Sequence, residues 1–158
     1  MTTQMKAELL EPLVAVTVSV LSTEAGLNAT RRNLYLTKSA SLTHEVTVII
    51  GLTGALHGLF LLGMSRTTAR AIAAHMFEAQ DTELNEMAQS AIAELGNIIA
   101  GQATTRLALQ GYPATLSPPG LIIGRDCFIS TLAITRLVVQ FDTEVGLIEI
   151  QLAVEQRT

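Results

Sequence analysis

The sequence predicts an α+β fold, with long helices packed on an antiparallel β-sheet. Two observations carry that expectation. Helical periodicity gathers in a stretch opening each half of the chain, and the segments between and after are β-rich and end in turn-forming Gly, Asp and Pro. Each long helix is followed by several such strands, so the halves read as a pseudo-duplicated helix-plus-strands arrangement. No linker separates them, and 158 residues suit one domain, 1–158, with a real core.

The elements follow in order. Met5 to Glu24 supports two readings: Leu9, Leu10, Leu13 and Leu21 suit a helix with Pro12 in its first turns, while Val14, Val16, Val18 and Val20 alternate as a strand would. Asn33–Thr37, Glu45–Ile50 and Ala55–Leu62 are strand-like, and Gly51 to Gly54 reads as a hairpin turn. Ser65 offers an N-cap for a helix from Arg66 to Glu78. Asp81 or Thr82 is expected to cap the next helix, Glu83 to about Thr104. Gly111–Pro119 is loop-like because of its prolines. Leu121–Ile123, Phe128–Gln140 and Val145–Val154 complete the strands, the last two joined by a turn at Asp142-Thr143-Glu144.

Composition narrows the function classes. A chain that is 49% hydrophobic and 15% charged, with mean hydropathy +0.41, suggests an apolar surface closed by self-association, for which Ala133–Phe141 and Val145–Val154 are candidates. A net charge of −4, with no basic cluster beyond Arg31-Arg32, argues against a nucleic-acid partner. The apolar run Val46–Met64 is broken by Thr47, Thr53, His57 and several glycines, so paired strands are expected rather than membrane insertion. Cys127 has no partner cysteine, fits a reducing cytoplasm and reads as a buried thiol. His44, His57 and His75 match no metal-ligand spacing, and no metal site is expected.

The informative stretch is "SAIAELGNIIAGQA", Ser90 to Ala103. On a helical wheel Leu84, Met87, Ala91, Leu95, Ile98 and Ile99 form an apolar face, opposite a line of Glu83, Glu86, Ser90, Glu94, Asn97 and Gly101. Ala93, Gly96 and Ala100 flank that line and suggest close approach of another backbone. No cation lies three or four residues from Glu94, and Asn97 offers a donor and an acceptor on a short side chain, suited to holding a water. These residues alone leave a solvated helix face and a docking surface both open.

"S-A-I-A-E-L-G-N" resembles the signature D/S-x-x-x-E-x-x-N of the CheC/CheX/FliY chemotaxis phosphatases. That family pattern continues to a downstream proline, and "LSPPGLIIG", Leu116 to Gly124, supplies Pro118 and Pro119, the latter one residue short of the usual spacing. "EPLVAVTVSVLST" stands where the family has a helix entered through a proline, which settles the first stretch as helix. Glu8, Glu11 and Glu24 are followed three residues on by Glu11, Val14 and Leu27, so the signature occurs once, and the single-site CheX type is the better match.

The resemblance implies a CheC/CheX-like fold and a homodimeric phosphatase acting on a phosphorylated CheY-like receiver domain. Asn97 would position the attacking water and Glu94 would pair with the receiver's lysine. Ser90, Gly101 and Pro119 would support the partner contact. The phosphatase would need no cofactor of its own, because the Mg²⁺ belongs to the receiver. The competing implication is a non-catalytic receiver-binding or flagellar-switch-type interaction module.

Overall fold

The computed structural model describes residues 3–157, and places the first stretch in a single helix, α1 (Thr3–Ala25). Pro12 lies mid-helix rather than in the first turns, and is buried. Its missing N–H removes one rung, at about 3 kcal/mol. Leu9, Leu13 and Val16, all at most 2% exposed, offset this at about 1.5–3 kcal/mol each, so packing overrides local propensity.

The chain continues through β1 (Thr30–Thr37), β2 (Ser41–Leu42), β3 (Val46–Gly54), β4 (Leu56–Met64), α2 (Arg66–Met76) and α3 (Glu86–Leu109). It ends with β5 (Ala114–Leu116), β6 (Gly120–Ile123), β7 (Phe128–Ile129), β8 (Arg136–Thr143) and β9 (Gly146–Gln156). The main sheet runs β1-β8-β9-β4-β3-β5, with β6 also paired to β3, and every pairing is antiparallel. Three helices pack on one of its faces, giving the expected α+β architecture. Strand residues Val48, Ile50, Leu62, Val139 and Ile150 meet helix residues Val16, Ile72, Ile92 and Ile99 in one core.

Several boundaries differ from expectation, each for a local reason. Gly51 to Gly54 is strand, not turn, because Leu52, Thr53 and Gly54 pair with Leu116, Thr115 and Ala114 of β5; the chain reverses at Ala55. That pairing also makes strand of three residues in the expected Gly111–Pro119 loop. Phe128–Gln140 divides into β7 and β8 around a turn fixed by Thr131, whose hydroxyl donates to the Ile134 carbonyl at 2.7 Å. The last turn falls at Glu144-Val145, since Thr143 pairs with Gly146. The proposed self-association strands are corrected too. β8 and β9 are interior strands with neighbours on both sides, and their apolar residues Leu137, Val139, Ile148 and Ile150 are consumed by the core.

The face of the sheet away from the helices carries a buried polar cluster beneath the small β2–β7 sheet. Arg136, 0% exposed, donates to Thr131 Oγ1 (3.2 Å), Ser41 Oγ (3.1 Å) and the Ser39 carbonyl. Beside it Glu149 accepts from Gln140 (2.9 Å) and Gln151 (2.7 Å) and pairs with His44 Nε2 at 3.2 Å. Gly63 makes room for the His44 ring, since a Cβ there would stand 2.5 Å from His44 Cδ2. Burial alone would raise the Glu149 pKa, but hydrogen bonds from His44, Gln140 and Gln151, with the charge of His44, hold it below the ordinary carboxylate value. A depressed folded-state pKa contributes stability above the unfolded-state value, about 4.3, that is lost as pH falls through the folded value. His44→Ala should therefore move the acid-unfolding midpoint to higher pH, read by circular dichroism. An unchanged midpoint would show that His44 leaves Glu149 unaffected.

Candidate functional site on helix α3

Helix α3 starts later than its sequence suggests. Asn85 is the N-cap, its Oδ1 accepting from Ala88 N–H at 3.0 Å, with Glu86 placed against the positive end of the helix dipole. Asp81, the expected cap, instead receives Thr82 N–H at 2.8 Å and holds Arg70 at 3.1 Å. Glu83 precedes the helix and reaches Arg70 at 3.6 Å, so it leaves the polar line.

The buried face comprises Ala88, Ile92, Leu95, Gly96, Ile99, Ala100, Ala103 and Leu107. Met87, expected inside, is 68% exposed, because at about 100° per residue it falls beside Glu94 and away from Ile92 and Ile99. Gly96 is corrected as well. It faces the sheet rather than a partner, and a Cβ there would lie 2.8 Å from Val48 Cγ1. The missing side chain lets α3 settle on β3, and this contact sets the helix's height and rotation.

On the other side Ser90 and Glu94 are exposed, and Asn97 and Gly101 are half-buried. The side chains of Ser90, Glu94 and Asn97 have no hydrogen bond or ion pair to other described residues. A carboxylate and a carboxamide spaced by three residues on a helix are neighbours, their Cβ atoms roughly 5–6 Å apart. Nothing in the fold uses them. A Cβ at Gly101 would meet nothing within 4 Å, which leaves the end of the line open to an approaching surface.

Pro119 is placed differently from the other four. It stands at the entrance to β6, where Ser117 ties the chain to both backbone groups of Gly51: Ser117 N–H donates to the Gly51 carbonyl (2.9 Å), and its Oγ accepts from Gly51 N–H (2.8 Å). This link steers β6 onto β3 beside α3. A hollow of about 310 Å³ results, lined by Glu86, Gln89, Ser90, Ala93 and Leu121, while Pro119 itself does not line it. Gln89 and Leu121 escaped the sequence reading. Gln89 breaks no periodicity, and the place of Leu121 depends on a non-local pairing.

Among the described residues no group of three His, Cys, Asp or Glu side chains could hold a metal ion. Nor, among the described residues, is any helix long and apolar enough to cross a membrane. Cys127 is exposed rather than buried, in a segment that also turns Phe128 outward at 72% exposure.

A family model described as chemotaxis phosphatase CheX matches residues 46–142, which include Glu94, Asn97 and Pro119. The chain belongs to the CheX family. It is 33% identical over 94 residues to the CheY-P phosphatase CheX of Thermotoga maritima, covering 59% of this chain; it spans about three fifths (61%) of that relative's length. A chemotaxis protein CheX from Desulfovibrio desulfuricans superposes with a TM-score of 0.85 at 25% identity, covering 94% of this chain and 99% of the other. The CheX of a CheX–CheY–BeF3–Mg²⁺ complex from Borrelia burgdorferi superposes with a TM-score of 0.73 at 26% identity, covering 93% and 97%. The CheX fold thus extends over nearly the whole chain, beyond the segment that the family model matches.

Proposed function

We propose that this chain is a response-regulator phosphatase that hydrolyses the aspartyl phosphate of a CheY-like receiver, working as a single-domain protomer of a cytoplasmic homodimer. The observation that carries the reading is the uncommitted pair Glu94 and Asn97 on the outer side of α3, in a chain of the CheX family. The Thermotoga relative is a phosphatase of CheY-P, and the Borrelia neighbour is in complex with CheY, BeF3 and Mg²⁺.

An acyl phosphate already has a good leaving group, and the receiver brings its own Mg²⁺ and lysine to the phosphoryl oxygens. What remains to be supplied is a water in line with phosphorus. The Asn97 carbonyl accepts a hydrogen bond from that water and points an oxygen lone pair at phosphorus. Glu94 pairs with the receiver's lysine and sets the register of the two proteins, a role in which orientation counts for more than net energy. Ser90 hydrogen-bonds at the near edge of the contact, and Gly101 leaves room at the far edge. Pro119 acts through the placement of β6. No general base is required, since the water is attacking an activated phosphoryl group.

The test is phosphate release from a phosphorylated CheY-like receiver with Mg²⁺, with and without the protein. Faster release supports the reading; unchanged release with retained binding would make α3 a recognition surface only. Glu94→Ala should raise the receiver concentration needed for half-maximal rate by about tenfold, the equivalent of 1.4 kcal/mol, with a smaller change in maximal rate. An effect confined to maximal rate would remove Glu94 from docking.

A further inference from the structure

The sheet order contains a pseudo-two-fold. Edge strands β1 and β6 each follow a long helix, and each pairs with an inner hairpin strand of the opposite half, β8 and β3, while the hairpins meet along β4–β9. The helices obey it residue by residue. From Met5 to Val20 and from Ala88 to Ala103 the order of buried, half-buried and exposed positions coincides everywhere except Ala15 against Ile98. This alignment sets Ala7 on Ser90, Glu11 on Glu94, Val14 on Asn97 and Val18 on Gly101.

The α1 face thus repeats the frame of the candidate site and keeps its carboxylate, but has Val14, which can hold no water, in the place of Asn97. A groove of about 380 Å³ runs along it, lined by Ala7, Leu10, Glu11, Val14, Ala15 and Arg31 of β1. Its counterpart beside α3 is bordered by Leu121 of β6, so Arg31 adds a cation where the other side is apolar. Glu11 and Arg31 are both exposed, and neither side chain has an ion pair or hydrogen bond to other described residues.

We propose that this α1 face is a second docking surface for a phosphorylated receiver domain, one that binds without hydrolysing. The inference rests on the function proposed for α3, from which it borrows the partner's chemistry. A receiver's phosphorylation site is an acidic pocket carrying a phosphoryl group beside a lysine. Glu11 fits the lysine, Arg31 fits the acidic rim, and Leu10 with Val14 supply apolar contact. Val14 has neither donor nor acceptor, so no water is held in line and the phosphoryl group survives.

The test counts receivers. Full-length Asn97→Ala protein is titrated calorimetrically with receiver activated by beryllium fluoride and Mg²⁺. Two receivers per chain are expected. Adding Glu11→Arg, or Arg31→Glu as a second variant, should weaken one of the two at least tenfold, with the melting temperature confirming an intact fold. A count of one overturns the proposal, as does a count of two that both variants leave unchanged. If Glu11→Arg alters the oligomeric state without receiver present, the groove is covered by a second copy, which also overturns it. Failure of the wild type to accelerate phosphate release would strike the α3 reading separately, because the count is read by binding.

Discussion

Asn97→Ala is expected to slow receiver dephosphorylation by about 100-fold, a few kcal/mol of positioning, while receiver affinity changes little. The argument lies in how the amide is held. Gly96, one residue before it, is pressed on Val48, so the backbone that carries Asn97 is fixed to the sheet. Asn97 is half-buried and its short side chain has few rotamers to lose on ordering a water. Asn97→Gln keeps the amide but adds a methylene, and should lose at least about tenfold because the water moves off line. Asn97→Asp sets a negative charge facing an anionic phosphoryl group and should do no better than alanine. Stopped-flow decay of the phosphorylated receiver separates these outcomes. If Asn97→Ala retained the wild-type maximal rate, water positioning would have to come from elsewhere.

Gly96→Val should have the largest effect on stability. A Cβ there would stand 2.8 Å from Val48 Cγ1 and 3.1 Å from Val48 Cβ, and valine adds two further carbons on the same side. Overpacking of this kind costs about 1–3 kcal/mol, and the gain of up to about 1 kcal/mol from removing a helical glycine offsets only part of it. A fall in melting temperature of about 3–8 °C is the expected reading. Activity should fall more than stability explains, because relief of the clash lifts or rotates α3 and carries Glu94 and Asn97 with it. A variant that melts lower but keeps full activity at low temperature would show that the height of α3 is not critical.

The shared helix face of the candidate residues was more legible in sequence than the packing that holds it. Glu94, Asn97, Ser90 and Gly101 share a face simply because helical spacing puts them there, and no long-range contact was needed to find them. The helix start was misread because Asp81, Thr82 and Asn85 are all good caps, and the choice among them was made by Arg70, which occupies Asp81. A helical wheel sets Gly96 on the flank of the polar line but cannot show that Val48 of β3 stands against it. Gly51 to Gly54 looked like a turn until β5 arrived to pair with its latter part. Ser117, Arg136 and His44 are informative only once strands distant in sequence are side by side.

The exchange of edge strands between the halves has a consequence for synthesis. β1 emerges from the ribosome well before its ladder partner β8, which begins at Arg136, after every element from β2 to β7 has been made. Until then β1 can complete no sheet, and an unpaired strand in a nascent chain is a template for wrong pairing. The exposed strand is protected by its own composition: Thr30, Arg31, Arg32 and Asn33 open it with polar and charged side chains, and Leu34 is the first apolar residue to follow. Arg31, beside the α1 groove, thus serves the growing chain before it can serve any partner.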